Sequence, residues 1–93
     1  MKLRITRRAL RQIEHALEFI RSISPTGAAS VAARLDEIIE VLKQQPQIGR
    51  RTNRAGVRRV VLLPYPYILF YRVGQDEIIV LRFLHASRRS AAS

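Results

Sequence analysis

The chain has no cysteine, only two histidines, and just seven acidic residues in 93 positions. Without cysteine there is neither a disulfide framework nor a thiolate metal site. His15 and His85 are the only imidazoles and lie far apart in sequence, so no metal site and no cofactor are expected. No window approaches about 18 uninterrupted apolar residues, the length a membrane span needs. The opening MKLRITRRAL carries charge but no long apolar core, so it does not read as a secretory signal. A soluble, cytoplasmic protein with no membrane partner is expected. Missing too are a Ser-His-Asp arrangement, a glycine-rich phosphate loop and a carboxylate pair suited to glycoside chemistry.

The scarcity of acids leaves a large imbalance. Seventeen Lys and Arg give a formal net charge of +10, and 15 of the 17 are arginine. Arginine offers a planar fork for carboxylates and phosphates, whereas lysine is a flexible point charge. Residues 50–93 hold nine arginines and two acids, net +7; residues 1–49 hold eight cations and five acids, net +3. The partner of the second half is therefore expected to be anionic, a nucleic acid or an acidic protein segment.

An apolar fraction of 47% is normal for a globular protein. The length allows one domain, residues 1–93, with 90–93 as a frayed tail. A domain so small buries little surface, so a bound partner could add much of its working stability. Residues 2–6 alternate polar and apolar, as a short strand does. Thr6 is placed to cap a helix over 7–22, with Leu10, Ile13, Leu17 and Ile20 at helical spacing and Ala9, Ala16 and Ile23 beside them. Ser24-Pro25 starts a second helix with the stripe Ala28, Val31, Leu35, Ile38 and Leu42, and Pro46 stops it. So short a link folds the two into a helical hairpin. Residues 47–56 read as a loop. Strands are predicted over 57–63, 67–73 and 77–85, with a bend at Pro64 to Pro66 and a turn at Gly74-Gln75-Asp76. The class is α+β, in the order β-α-α-β-β-β: a mainly antiparallel sheet with the helical hairpin packed on one face.

Nothing is left to cover the other face. Strict alternation puts Arg72 with Ile68 and Phe70, and Arg82 with Ile78, Val80 and Leu84. Arg50, Arg51, Arg54, Arg58 and Arg59 form a dense basic segment suited to phosphates or acids, or a solvated, solubilising run. Arg72 and Arg82 either line an anionic site or snorkel at the sheet rim and pair with Glu77. His85, Arg88 and Arg89 cluster after the last strand. A histidine there is a candidate general acid or a hydrogen-bonding group at the sheet edge. Tyr65, Tyr67 and Tyr71 are candidates for base stacking or for the core, and His15, between Glu14 and Glu18, is expected at the surface.

The segment Pro66-Tyr67, Phe70-Tyr71-Arg72-Val73, Ile79 to Leu84 and His85-Ala86-Ser87-Arg88 resembles the RelE/ParE superfamily of toxins from type II toxin–antitoxin systems, and the helical half fits as well, including Pro46 and Ile48-Gly49-Arg50. RelE-like members are ribosome-dependent mRNA endonucleases with sheet cations and a late tyrosine; ParE-like members inhibit DNA gyrase. Against the nuclease pattern, Arg59 and Arg88 match, but Val61 and Ile68 stand where cations are expected, and Ala91-Ala92-Ser93 offer no late tyrosine. The resemblance is therefore to the ParE-like branch. It implies a plasmid-stabilising toxin that forms a hetero-oligomer with a cognate antitoxin, whose C-terminal segment wraps it, and that inhibits DNA gyrase. The implied binding residues are Arg50, Arg51, Arg54, Arg58, Arg59, Arg72, Arg82, His85, Arg88 and Arg89, with no catalytic set. The alternatives are a ribosome-dependent mRNA endoribonuclease using Arg59, Arg88 and His85, and a nontoxic basic nucleic-acid-binding module.

Overall fold

A computed structural model of the chain describes residues 1–88. Arg89 and the expected frayed tail 90–93 lie outside the described residues. Strand β1 (Lys2–Ile5) leads into helix α1 (Arg7–Ile23), and helix α2 (Pro25–Gln44) folds back against it. Strands β2 (Arg50–Arg51), β3 (Val57–Val61), β4 (Tyr67–Val73) and β5 (Glu77–His85) follow, then a short 3-10 turn (Ala86–Arg88). The sheet order is β1-β5-β4-β3-β2, antiparallel throughout except for the parallel pair of β1 with β5.

Each helix begins where a side chain satisfies an orphan N–H. Thr6 Oγ1 accepts from Ala9 N at 3.1 Å, and Ser24 Oγ accepts from Gly27 N at 3.0 Å. The α2 stripe Ala28, Val31, Leu35, Ile38 and Leu42 is buried as its spacing predicts. The stripe on α1 is rotated from expectation. Ala9 and Ile13 are buried and Leu17 and Ile20 pack beside them, while Leu10 is 45% exposed and Ile23 71%. Positions 9, 13, 16, 17 and 20 form the true inward face, because the sheet meets the helix on the alanine side.

Two features depart from a sheet of four strands. Arg50 and Arg51, expected in a loop, pair with Arg59 and Arg58 as the edge strand β2. Two consecutive arginines carry no apolar alternation, so pairing here is imposed by the anchored chain before them. That anchor is Tyr71, whose buried hydroxyl donates to Pro46 O at 2.8 Å and accepts from Gly49 N at 2.8 Å. A Cβ on Gly49 would sit 2.5 Å from the Tyr71 hydroxyl and 2.9 Å from Arg59 O, so close approach requires glycine here.

The second departure is a bulge. Phe70 faces Arg82 but Tyr71 faces Val80, leaving Leu81 as the unpaired extra residue. One inserted residue reverses every side chain beyond it. Arg82 is thereby separated from Ile78 and Val80, with which strict alternation had grouped it. Those two join Phe83, Leu69 and Tyr71 in the main core under the helices. Val57, Ile68 and Phe70, with Leu81 and Leu84, form a smaller cluster on the opposite face. Thr6 ties the bulge down: its N donates to Val80 O at 3.0 Å, and its hydroxyl, already the α1 cap, reaches Leu81 O at 3.4 Å. Past the bulge, Phe83 N donates to Gln12 Oε1 at 2.9 Å, so a helix side chain serves where β1 has ended.

Candidate functional site

The face without helices carries a cavity of about 710 Å³. Five elements and one loop each aim an arginine at it: Arg8 from the first turn of α1, Arg51 from β2, Arg54 from the loop, Arg59 from β3, Arg72 from β4 and Arg82 from β5. Val57, Phe70 and Leu81 are its apolar lining. The register explains the convergence from β3, β4 and β5, whereas Arg51, whose backbone partner is Arg58, joins the lining from the edge strand β2. Arg59 faces Phe70, Phe70 faces Arg82, and Val57 faces Arg72, so all of them lie on one side of three neighbouring strands. The bulge at Leu81 is what brings Arg82 to this side together with Phe70. Gly56, at φ +77, supplies the left-handed turn that returns the Arg54 loop to β3, and Thr52 closes that loop by donating its hydroxyl to Val57 O at 2.9 Å.

Among the described residues no carboxylate lines the cavity. Among the described residues the ion pairs are Arg4–Glu77, Arg34–Glu37 and Lys43–Glu40, and none of them involves a cavity arginine. Glu77 thus pairs with Arg4 of β1, not with Arg72 or Arg82 as one expectation had it. The crowding is felt at Arg82: partial withdrawal from water lowers its pKa most, and the like charges of Arg8 and Arg54 lower it further. Its guanidinium remains charged at neutral pH. The long side chains also explain how Phe70 and Val57 are buried with no helix above them, since arginine stems cover apolar surface while their heads stay wet.

The remaining predicted residues separate. Arg50 is exposed, opposite Arg59 on the edge strand, and does not line the cavity. Arg58 points to the helix side, where its Nη1 donates to Gly49 O at 2.8 Å and Gln47 O at 3.2 Å, holding the same loop that Tyr71 holds. His85 also lies on the helix side. Its Nδ1 is 2.9 Å from Ser87 Oγ, its ring meets Tyr67 edge-on, and with His15 it lines a separate cavity of about 450 Å³. Arg88 ends the 3-10 turn, and its side chain lies outside the described part of the structure. Tyr67 stacks on Phe83 at 5.1 Å and Tyr71 is fully buried, so both are core residues. The sequence reading omitted Arg8. A signal for it existed: α1 has no acid in its first turn but does have Arg7 and Arg8, against the helix dipole, which favours anions there.

The arrangement can bind and neutralise an anion through as many as six guanidinium groups. The side chains lining it include no histidine, carboxylate or tyrosine, and arginine holds its proton too tightly to exchange it near neutral pH.

The comparisons with known proteins agree with this fold. A solved structure described as the chromosomal ParDE TA system from P. aeruginosa superposes with a TM-score of 0.81 at 27% identity, covering 91% of this chain and 95% of that one. Fold and relatives together define a toxin of the RelE/ParE superfamily. More narrowly, the family model for the ParE toxin of the type II toxin–antitoxin system parDE matches residues 3–90, and the chain belongs to that family. It is also similar to Y4kP of Sinorhizobium fredii, 33% identical over 95% of this chain and 91% of that protein. Toxin RelE2 of Caulobacter vibrioides is 32% identical, over 89% of this chain and 92% of its own length.

Proposed function

We propose that this ParE-family chain is neutralised by a cognate antitoxin, with which it forms a hetero-oligomer, and that its target is DNA gyrase. The observation that carries the reading is the cavity of six arginines, none paired to an acid among the described residues and none beside a proton-transferring side chain. Such a surface suits binding better than bond cleavage. An acidic antitoxin segment that folds as it binds is complementary to this charge. The ParDE assembly of the structural neighbour supports the partner class by analogy. A cytoplasmic location goes with the reading, because gyrase acts there.

The relative named RelE2 favours a second reading, a ribosome-dependent mRNA endoribonuclease. Its proposed residues are Arg59, His85 and Arg88. Arg59 and His85 line different cavities on opposite faces of the sheet, which is poor geometry for groups that must act on one phosphate. A supercoiling assay with purified gyrase, run beside a translation-coupled mRNA cleavage assay, separates the two. Inhibition in the first is expected; activity in the second alone overturns the gyrase reading. Growth arrest on expression without the antitoxin is expected as well, whereas unharmed cells would indicate a nontoxic nucleic-acid-binding module.

A further inference from the structure

Taking the open face as the binding surface proposed above, we infer that two uncharged residues, Gln12 and Thr6, are positioning residues for its arginines. They fix the bulge of β5 from the side of α1, and the bulge fixes where Arg82 stands.

β1 ends at Ile5, opposite Val80, so no strand lies beside the outer edge of β5 from Leu81 onward. Three main-chain groups on that edge span the bulge, and α1 and its cap take all of them. Val80 O accepts from Thr6 N at 3.0 Å, and Leu81 O accepts from the Thr6 hydroxyl at 3.4 Å. Beyond the bulge, Phe83 N donates to Gln12 Oε1 at 2.9 Å. The chemistry of the groups assigns the atoms. A strand N–H needs an acceptor, so the amide oxygen of Gln12 faces it and the amide nitrogen does not. Thr6 Oγ1 accepts from Ala9 N through a lone pair, which leaves its one proton for Leu81 O. The Gln12 bond is the shorter and therefore the stronger of the two side-chain ties.

These ties also govern a distance between charges. Arg8 and Gln12 stand one turn apart on one flank of α1. The side chain that grips β5 thus sets how far Arg8 stands from Arg82. The two cations repel, and repulsion drives the first turn of α1 away from β5. Gln12 and Thr6 hold it there. Capping a helix accounts for Thr6 by itself, but Gln12 caps nothing. It lies outside the arginine cavity, in the separate one with His15 and His85, and touches nothing bound beside Arg82. Its effect on binding has to pass through the arginines it places.

The test is a double-mutant cycle on the full chain, read by fluorescence anisotropy with labelled oligoglutamate in about 50 mM salt, where screening is weak. Gln12→Met keeps the length of the side chain and removes the acceptor. It should weaken binding about fivefold in the parent chain and less than about twofold in an Arg82→Gln background, the coupling expected of residues that act through one another. Thr6→Val should weaken binding about threefold, and Thr6→Ser, which keeps the hydroxyl, should recover it. Melting temperatures set a working temperature at which each variant is folded, and Thr6→Val carries the same cycle if Gln12→Met does not fold. Nitrogen-edited NMR of the arginine Nε–H groups is the second readout. Gln12→Met should move the Arg82 signal and leave that of Arg34, on α2, in place. A Gln12→Met chain that melts lower yet binds as the parent does would overturn the inference. So would equal weakening with and without Arg82, or an unmoved Arg82 signal. Oligoglutamate that fails to bind the parent chain overturns the proposed binding surface instead, and the Arg82 signal alone then decides whether Gln12 places that side chain.

Discussion

The two faces of one sheet differ in what holds them. Under the helices, Leu69, Tyr71, Ile78, Val80 and Phe83 meet Ile13, Val31, Leu35, Ile38 and Leu42 in a continuous apolar core. On the opposite side, a three-residue cluster is sheltered by arginine stems whose charges repel one another. The first face is ordered for stability. The second keeps like charges close together, with no ion pair to offset them among the described residues. A single feature divides them: the extra residue Leu81, which directs Phe83 into the core and Arg82 out of it.

Substitutions should sort by face. Phe83→Ala should cost about 3–5 kcal/mol of stability, because a buried ring stacked on Tyr67 leaves a cavity that packed helices cannot close. Phe70→Ala should cost clearly less in the same denaturant titration, since mobile arginine stems can settle into the space. Equal losses would mean that the open face is as rigidly packed as the covered one.

Gly49→Ala comes next, at about 2 kcal/mol, the scale of forced overpacking. The new methyl group meets both the Tyr71 hydroxyl and the backbone of β3, and chemical denaturation would show whether they give way. Tyr71→Phe should cost about 1–3 kcal/mol, because Pro46 O and Gly49 N are left without their partner. Tyr71 also sets an alkaline limit. Burial raises its pKa above the ordinary value of 10.0, outweighing the opposing effects of the Gly49 N–H and Arg58. The unfolded chain therefore loses this proton before the folded one does. The contribution is fully present below pH 10 and is lost as pH rises through the folded value. Thermal melts from neutral pH upward should show that decline in the parent chain and a shallower one in Tyr71→Phe.

The smallest stability effect is expected at the open face. Arg59→Gln or Arg72→Gln should change stability by no more than about 0.5 kcal/mol. Arg59→Glu should nevertheless raise the off-rate of the proposed antitoxin and its salt sensitivity, measured by surface plasmon resonance. Arg58→Glu should destabilise the chain itself, since it breaks the contacts to Gly49 and Gln47.

The strands 67–73 and 77–85 were legible to the residue, because apolar runs of strand length stand between unmistakable turn residues. The helix starts were legible from Thr6 and Ser24-Pro25. Three things were not. The bulge leaves no mark in a stretch such as Ile78 to Leu84, where apolar residues are so frequent that either register looks plausible. The strand Arg50–Arg51 is made by tertiary anchoring through Tyr71 and has no pattern of its own. For the site, the basic segment identified Arg51, Arg54 and Arg59, but nearness in sequence also drew in Arg58, which alternation sends to the other face. Arg8 joins from the far end of the chain, through a helix start that only folding brings beside β5.

The central claim is that stability resides on one face and function on the other. The most direct test is Arg72→Gln with Arg82→Gln in one chain, measured for melting temperature and for the proposed inhibition of purified gyrase. The account predicts an unchanged or higher melting temperature with inhibition abolished. A double variant that melts as before and still inhibits gyrase fully would contradict it.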